Sequence, residues 1–322
     1  MSVDVLCLRP EADFIRVGVA TPAGIRVAYR APADPDVPAL MKQARVLLIP
    51  AVGPKLPMSI FDGSSVRLVQ VTGAGLDRID PPALRAMGIA IANVPGGSNS
   101  AIAEYVVAAA SLLLRRLLWA DAEVRAGRYT AVRAQLVAGN LAGLDGLVVG
   151  VVGLGVVGLA VAQAFHRAGC AIGYYDPAPG DPSAAEAIPA RAMTLDELLG
   201  SADVVTLHVP LLPETRGLIG ARELDLMKRG GVLIQAARGG VVDEAALAEH
   251  LSSGHLGGAA VDVYSSEPPP PDHPLLALQG EAAGRLLLTP HIAGVTRQSA
   301  AFLLRAAWEN VERALKEAAS AR

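Results

Sequence analysis

Cysteine is nearly absent from this chain of 322 residues; only Cys7 and Cys170 occur. Two cysteines make no disulfide framework, and they read as small buried apolar side chains in a reducing compartment. Charge of one sign is equally scarce. A formal net charge of −3 offers no field for nucleic acid or for an anionic membrane surface. Long apolar runs are missing too. The longest, from Tyr105 to Leu114, is interrupted by Ser111 and flanked by Glu104 and Arg115-Arg116. A membrane-spanning helix needs about 20 apolar residues, so this run reads as a buried helix. The N-terminus lacks a basic region followed by an apolar stretch, which argues against a signal peptide. No HExxH or paired-cysteine spacing is present, so no metal site is expected. Gly97-Ser98-Asn99-Ser100 lacks the GxSxG frame of a nucleophile elbow, and no solenoid-length repeat occurs. The expectation is a cytoplasmic protein with neither membrane nor nucleic-acid partner.

What is present is an alternation of strand-like and helix-like segments. The length fits two domains, and 33 glycines with 23 prolines supply many turns. Strand-like runs fall at Val3–Leu8, Val46–Ile49, Leu68–Val71 and Ile89–Ala92, with a short helix over Pro81–Met87. A long helix is predicted from about Asn99 toward Ala126, bridging two domains. Further strands are predicted at Leu147–Val152, Ala171–Tyr175, Val204–His208, Gly231–Gln235, Gly258–Val263 and Leu286–Thr289. A last helix is predicted over Arg297 to Ala318. Pro268–Pro271 forbid regular structure and mark a stiff loop. Parallel α/β sheets are the fold expected from this order.

Chemistry concentrates in the second half. Gly153-Leu154-Gly155-Val156-Val157-Gly158 follows the continuous apolar run Leu147–Val152 and opens an amphipathic helix. Its apolar face is Val157, Ala160, Val161, Ala164, Phe165 and Ala168, and Gly169 ends it. Glycine at 153 and 155 lets the backbone approach a pyrophosphate, and Gly158 lets helix and strand pack closely. Asp176 ends the next strand 18 residues after Gly158. It is positioned to accept from ribose hydroxyls and to repel a 2′-phosphate, and Pro177-Ala178-Pro179 supply no arginine for that phosphate. NAD is therefore the expected cofactor. Downstream, Arg238, Glu267 and His291 supply a fixed cation, a carboxylate and a group that exchanges protons near neutrality. This is the set required to move a hydride to or from a 2-hydroxy acid. His250 and His255 are expected at a helix end, facing solvent.

Several segments together resemble the D-isomer-specific 2-hydroxyacid dehydrogenases. They are Gly73-Ala-Gly-Leu-Asp-Arg-Ile-Asp80, Asn93-Val-Pro95 with Ala103-Glu104, and the glycine turn with Asp176. The series continues with His208-Val-Pro-Leu211, Ala237-Arg-Gly-Gly-Val-Val-Asp243, Ala260-Val-Asp-Val263 with Glu267-Pro268, and Thr289-Pro-His-Ile-Ala-Gly294. The resemblance implies two Rossmann-like domains with the active site in the cleft between them. Residues 1–98 and 295–322 would form the substrate domain, and 99–294 the NAD-binding domain. Arg238, Glu267 and His291 would be catalytic. Cofactor contacts would fall on Gly153, Gly155, Val156, Val157, Gly158, Asp176, Val209, Pro210, Thr215, Ala236, Ala237, Arg238, Asp262, His291 and Gly294. Substrate contacts would fall on the Ala74-Gly75 backbone, Arg238 and His291. Asp262 would lie near the nicotinamide carboxamide, and the usual assembly would be a homodimer. Val156, Gln235 and Leu212 depart from the family's common polar or basic residue, asparagine and threonine. A non-catalytic NAD(H)-sensing protein on the same fold is the alternative reading.

Overall fold

Two parallel sheets, each with its own core, organise the chain. The computed structural model describes residues 3–176 and 188–320. It divides into one unit made of residues up to Ser98 together with those from Val295 onward, and a second unit, Asn99–Gly294.

In the first unit the five strands are β1 (Val5–Cys7), β2 (Val27–Tyr29), β3 (Val46–Ile49), β4 (Leu68–Val71) and β5 (Ala90–Ala92). They are ordered β2-β1-β3-β4-β5 and every pairing is parallel. Strands buried on both faces need apolar residues at consecutive positions, and β3 (Val-Leu-Leu-Ile) is buried throughout. Its connecting helices are α1 (Glu11–Arg16), α2 (Val37–Met41) and α3 (Pro81–Ala86). The last is capped by Asp80, whose carboxylate accepts from Ala83 N.

The second unit holds seven strands: β6 (Val148–Val152), β7 (Ala171–Tyr175), β8 (Ala190–Ala192), β9 (Val204–Leu207), β10 (Val232–Gln235), β11 (Gly258–Val261) and β12 (Leu286–Leu288). Their order is β12-β11-β10-β9-β6-β7-β8, again all parallel. The chain starts at β6, moves outward to β7 and β8, then returns to the other side at β9. The switch point therefore lies between β6 and β9, where α/β sheets bind ligands beyond their carboxyl ends.

The predicted single helix from Asn99 to Ala126 is in fact broken. It forms α4 (Asn99–Leu114), α5 (Leu117–Arg125) and then α6 (Tyr129–Ala138). Arg116 causes the break, with a φ of 52° that no helix tolerates. Its guanidinium reaches Glu281 and lies 4.3 Å over the Trp119 ring. The remaining helices of this unit are α7 (Val156–Arg167), α8 (Leu195–Ser201), α9 (Ala221–Leu226), α10 (Glu244–Ser252) and α11 (Gly280–Ala283). The final helix, α12 (Arg297–Ser320), belongs to the first unit, where Leu304, Trp308 and Val311 pack on Val5, Cys7, Leu48 and Leu68. No helix among the described residues is long and apolar enough to cross a membrane.

Candidate active site

The glycine turn is dictated by sterics. Gly153 takes a φ of 90°, a region open to glycine, and a Cβ there would meet the His208 carbonyl at 2.9 Å. That contact places the loop after β9 directly against the loop after β6. A Cβ at Gly158 would fall 1.9 Å from the Gly153 oxygen, so only glycine lets α7 pack so close to its strand. Gly155 differs: a Cβ there would meet nothing within 4 Å. Open space in front of a helix N-terminus is what a pyrophosphate needs, so these residues fit a dinucleotide. Val156 and Val157 form the first turn of α7, with Val156 exposed. Asp176 folds back on the turn, accepting from Leu154 N at 2.8 Å. The expectation built on Pro177-Ala178-Pro179 lies outside the described residues.

The loop after β9 carries Val209, Pro210 and Thr215. Thr215 is buried; its hydroxyl donates to the Pro210 carbonyl at 2.5 Å and accepts from Leu212 N at 2.8 Å. It sets the shape of that loop. Desolvation lowers the His208 imidazole to about 3, so it stays neutral, with Nε2 bonded to the Thr206 hydroxyl at 2.9 Å.

After β10, Gln235 is buried and clamps the next turn from both sides. Its oxygen accepts from Ala237 N at 3.2 Å, and its amide nitrogen donates to the Arg238 carbonyl at 2.8 Å. That clamp presents Ala236, Ala237 and Arg238, and gives this departure from the family's asparagine a role. Beside Arg238, a Cβ on Gly239 would lie 1.8 Å from the Tyr264 carbonyl oxygen. The segment bearing Arg238 thus rests on the backbone that leads to Glu267.

Asp262, just beyond β11, organises the segment that carries His291. It is 1% exposed, and its carboxylate accepts from Thr289 Oγ1 at 2.5 Å and from Ile292 N and Ala293 N at 2.8 Å. Hydrogen bonds to a charged group contribute about 1.5–3 kcal/mol each. Thr289 has one proton and gives it to Asp262. The hydroxyl of Tyr105, on α4, therefore donates to Thr289 at 2.7 Å. Burial pushes Tyr105 up to about 12, so it remains a donor. His291 is enclosed by this frame, and its backbone donates to the Asp262 carbonyl at 2.8 Å. Its φ of 56° costs a non-glycine residue about 1–3 kcal/mol. The Asp262 bonds on either side offset that cost and hold the ring in place.

The ring meets a carboxylate. Glu267 Oε2 lies 2.9 Å from His291 Nδ1, and both side chains are about one-third exposed. The other Glu267 oxygen accepts from Tyr264 N at 3.1 Å. A carboxylate on Nδ1 fixes ring and tautomer and leaves Nε2 as the atom that exchanges a proton.

All of these residues lie in the second unit and, Tyr105 on α4 apart, at or just beyond the carboxyl ends of adjacent strands; Gly294 is the unit's last residue. Ala74 and Gly75 belong to the first unit, in the loop after β4, where the Asn93 side chain donates to the Ala74 carbonyl at 2.7 Å. Sequence reading missed Gln235 as a clamp, Tyr105 as a donor, and Arg78. Arg78 is buried and donates to the Pro50 and Pro54 carbonyls, bracing the loop that carries exposed Lys55. His250 corrects an expectation: it is buried, bonded to the Ala246 carbonyl and to Asp225 rather than facing solvent. Among the described residues no group of three or more His, Cys, Asp or Glu is arranged to hold a metal.

A dinucleotide turn at a sheet's switch point shares its carboxyl edge with a carboxylate–histidine pair, an arrangement suited to proton exchange beside a bound dinucleotide. Residues 107–293 match the NAD-binding domain of the D-isomer-specific 2-hydroxyacid dehydrogenases. The chain is 39% identical over 251 residues to the (S)-sulfolactate dehydrogenase of Chromohalobacter salexigens, covering 78% of each. It is 38% identical over 235 residues to the D-3-phosphoglycerate dehydrogenase of Archaeoglobus fulgidus, covering 73% of this chain and 42% of that one. The Archaeoglobus protein and the D-3-phosphoglycerate dehydrogenase of Bacillus subtilis are matched over less than half of their length. A solved structure of D-2-hydroxyisocaproate dehydrogenase superposes with a TM-score of 0.81 at 25% identity, covering 98% of both chains. The chain belongs to the D-isomer-specific 2-hydroxyacid dehydrogenase family, and its cofactor is NAD.

Proposed function

We propose that the protein interconverts a small D-2-hydroxy acid and its 2-oxo acid with NAD(H). The 2.9 Å bond between Glu267 and His291 Nδ1 carries this reading. With Nδ1 committed, Nε2 faces the reaction as acid in reduction and base in oxidation. NADH, when bound, would supply the hydride for C2; His291 Nε2 gives its proton to the substrate's carbonyl oxygen. Arg238 holds the substrate carboxylate by two parallel charged bonds and draws electron density from the adjacent carbonyl. Asp176 selects NAD over NADP by repelling a 2′-phosphate.

The test is a panel of 2-oxo acids, from glyoxylate and hydroxypyruvate to phosphorylated and sulfonated members, assayed with NADH and with NADPH. NADH consumption with at least one acid is expected, with NADPH at least tenfold weaker in kcat/KM. Absence of NADH consumption across the panel favours a non-catalytic NAD(H)-binding role. Faster turnover with NADPH contradicts the role given to Asp176.

The assembly we propose is a homodimer. α5 buries no side chain and α6 buries only Val132, while Leu117, Val124, Tyr129 and Val137 stand exposed on the pair. An apolar surface of this kind is characteristic of an interface. Sedimentation equilibrium is expected to give twice the chain mass; a stable monomer at micromolar concentration contradicts it.

A further inference from the structure

Behind the Glu267–His291 pair stands a second acid–histidine pair with no part in proton transfer. Glu244 is the first residue of α10, and its side chain is only 11% exposed. It does not cap that helix. Asp243 does, accepting from Ala245 N and Ala246 N. The Glu244 carboxylate turns instead to the catalytic loop. One oxygen accepts from Ser265 N at 2.7 Å; the other accepts from Ser265 Oγ at 2.5 Å and from His273 Nε2 at 2.9 Å.

His273 is 4% exposed, and its Nδ1 accepts from Leu275 N at 3.3 Å. The ring therefore carries its proton on Nε2 and donates it to Glu244. The His273 backbone donates to the Pro270 carbonyl, closing the proline run, and the Tyr264 ring stands edge-on to the imidazole with centroids 5.8 Å apart. The segment from Tyr264 to His273 is thus pinned on both sides of Glu267. Tyr264 adds the last link, because its amide is the donor that orients the Glu267 carboxylate.

We propose that Glu244, held by His273, is a positioning residue for the reaction: it fixes Ser265 and through it the orientation of Glu267 toward His291. The inference rests on the acid–base role given above to His291. A glutamine at 244 sets an amide N–H₂ against either the Ser265 amide or the His273 Nε2–H, so one anchor must break. Ser265→Ala removes one bond from an exposed side chain and is the milder variant.

The experiment compares wild type, E244Q, S265A, E267Q and the double variants E244Q/E267Q and S265A/E267Q. E244Q is expected to lower kcat about tenfold or more, with KM and NADH affinity within about twofold, because misplacement of a catalytic group acts on the chemical step. In the E267Q background the same change is expected to have no further effect, since residues acting through one another are not additive. Amide hydrogen exchange at Tyr264, whose amide binds Glu267 and not Glu244, is read in the same proteins. At least tenfold faster exchange is expected in E244Q even if no substrate is turned over. That readout separates failure of this inference from failure of the acid–base role. An equal loss of kcat with and without Glu267, or unchanged exchange at Tyr264, overturns the proposal. If E244Q does not fold, the S265A pair decides by the same two criteria.

Discussion

His291→Ala is expected to lower kcat by about 10²- to 10⁴-fold, the usual contribution of a positioned general acid–base group. NADH affinity is expected to stay within a few-fold. The imidazole is oriented by a carboxylate at 2.9 Å, and the backbone is held by Asp262 in a conformation that histidine does not prefer. The ring itself is about one-third exposed. A backbone strained at an exposed polar residue is more economically explained by chemistry than by stability. The measurement is steady-state NADH oxidation with the best acid of the panel, alongside NADH binding by fluorescence. Retention of most of the turnover removes His291 from proton transfer.

Gly239→Ala is expected to be nearly as damaging, although residue 239 carries no reactive group. The added Cβ would lie 1.8 Å from the Tyr264 oxygen, 2.0 Å from its carbonyl carbon and 2.6 Å from Ser265 N. All three are backbone atoms, so no side-chain rotation relieves the clash. Either the 264–267 segment moves or the turn bearing Arg238 does, and each carries a side chain to which the proposed mechanism gives a role. Displacement on this scale costs about a hundredfold in turnover, and overpacking of a fitted site costs about 1–3 kcal/mol of stability. The expected result is a fall in kcat/KM of at least hundredfold together with a lower Tm. Wild-type kinetics in this variant contradict the contact that joins the Arg238 turn to the 264–267 segment.

Much of the second unit was legible because its strands announce themselves. Val204–Leu207 and Val232–Gln235 are buried throughout and apolar but for Thr206 and Gln235, and their ends carry the motif residues. The short strands Val27–Tyr29 and Ala190–Ala192 were not legible. Both lie at sheet edges, partly exposed, with too few apolar residues to register as a run. The break at Arg116 was hidden because arginine is no habitual left-handed residue; its partners, Glu281 and Trp119, are supplied by the fold.

The site divides the same way. Arg238, Glu267 and His291 stood out from their local contexts. Their supports did not, since Tyr105 finds Thr289 across 184 residues and Glu244 finds His273 across 29. No local pattern encodes such pairs. Gln235 stood out only as a departure, and the structure gives it a function by showing both ends of its amide engaged.

A crystal structure with NAD and a non-reactive 2-oxo acid analogue such as oxamate tests the account most directly. His291 Nε2 is expected within about 3.2 Å of the oxygen on the analogue's C2, hydrogen-bond reach for a general acid. The Arg238 guanidinium is expected to pair with the analogue's carboxylate. An analogue bound beside the cofactor with its C2 oxygen turned away from His291 contradicts the account.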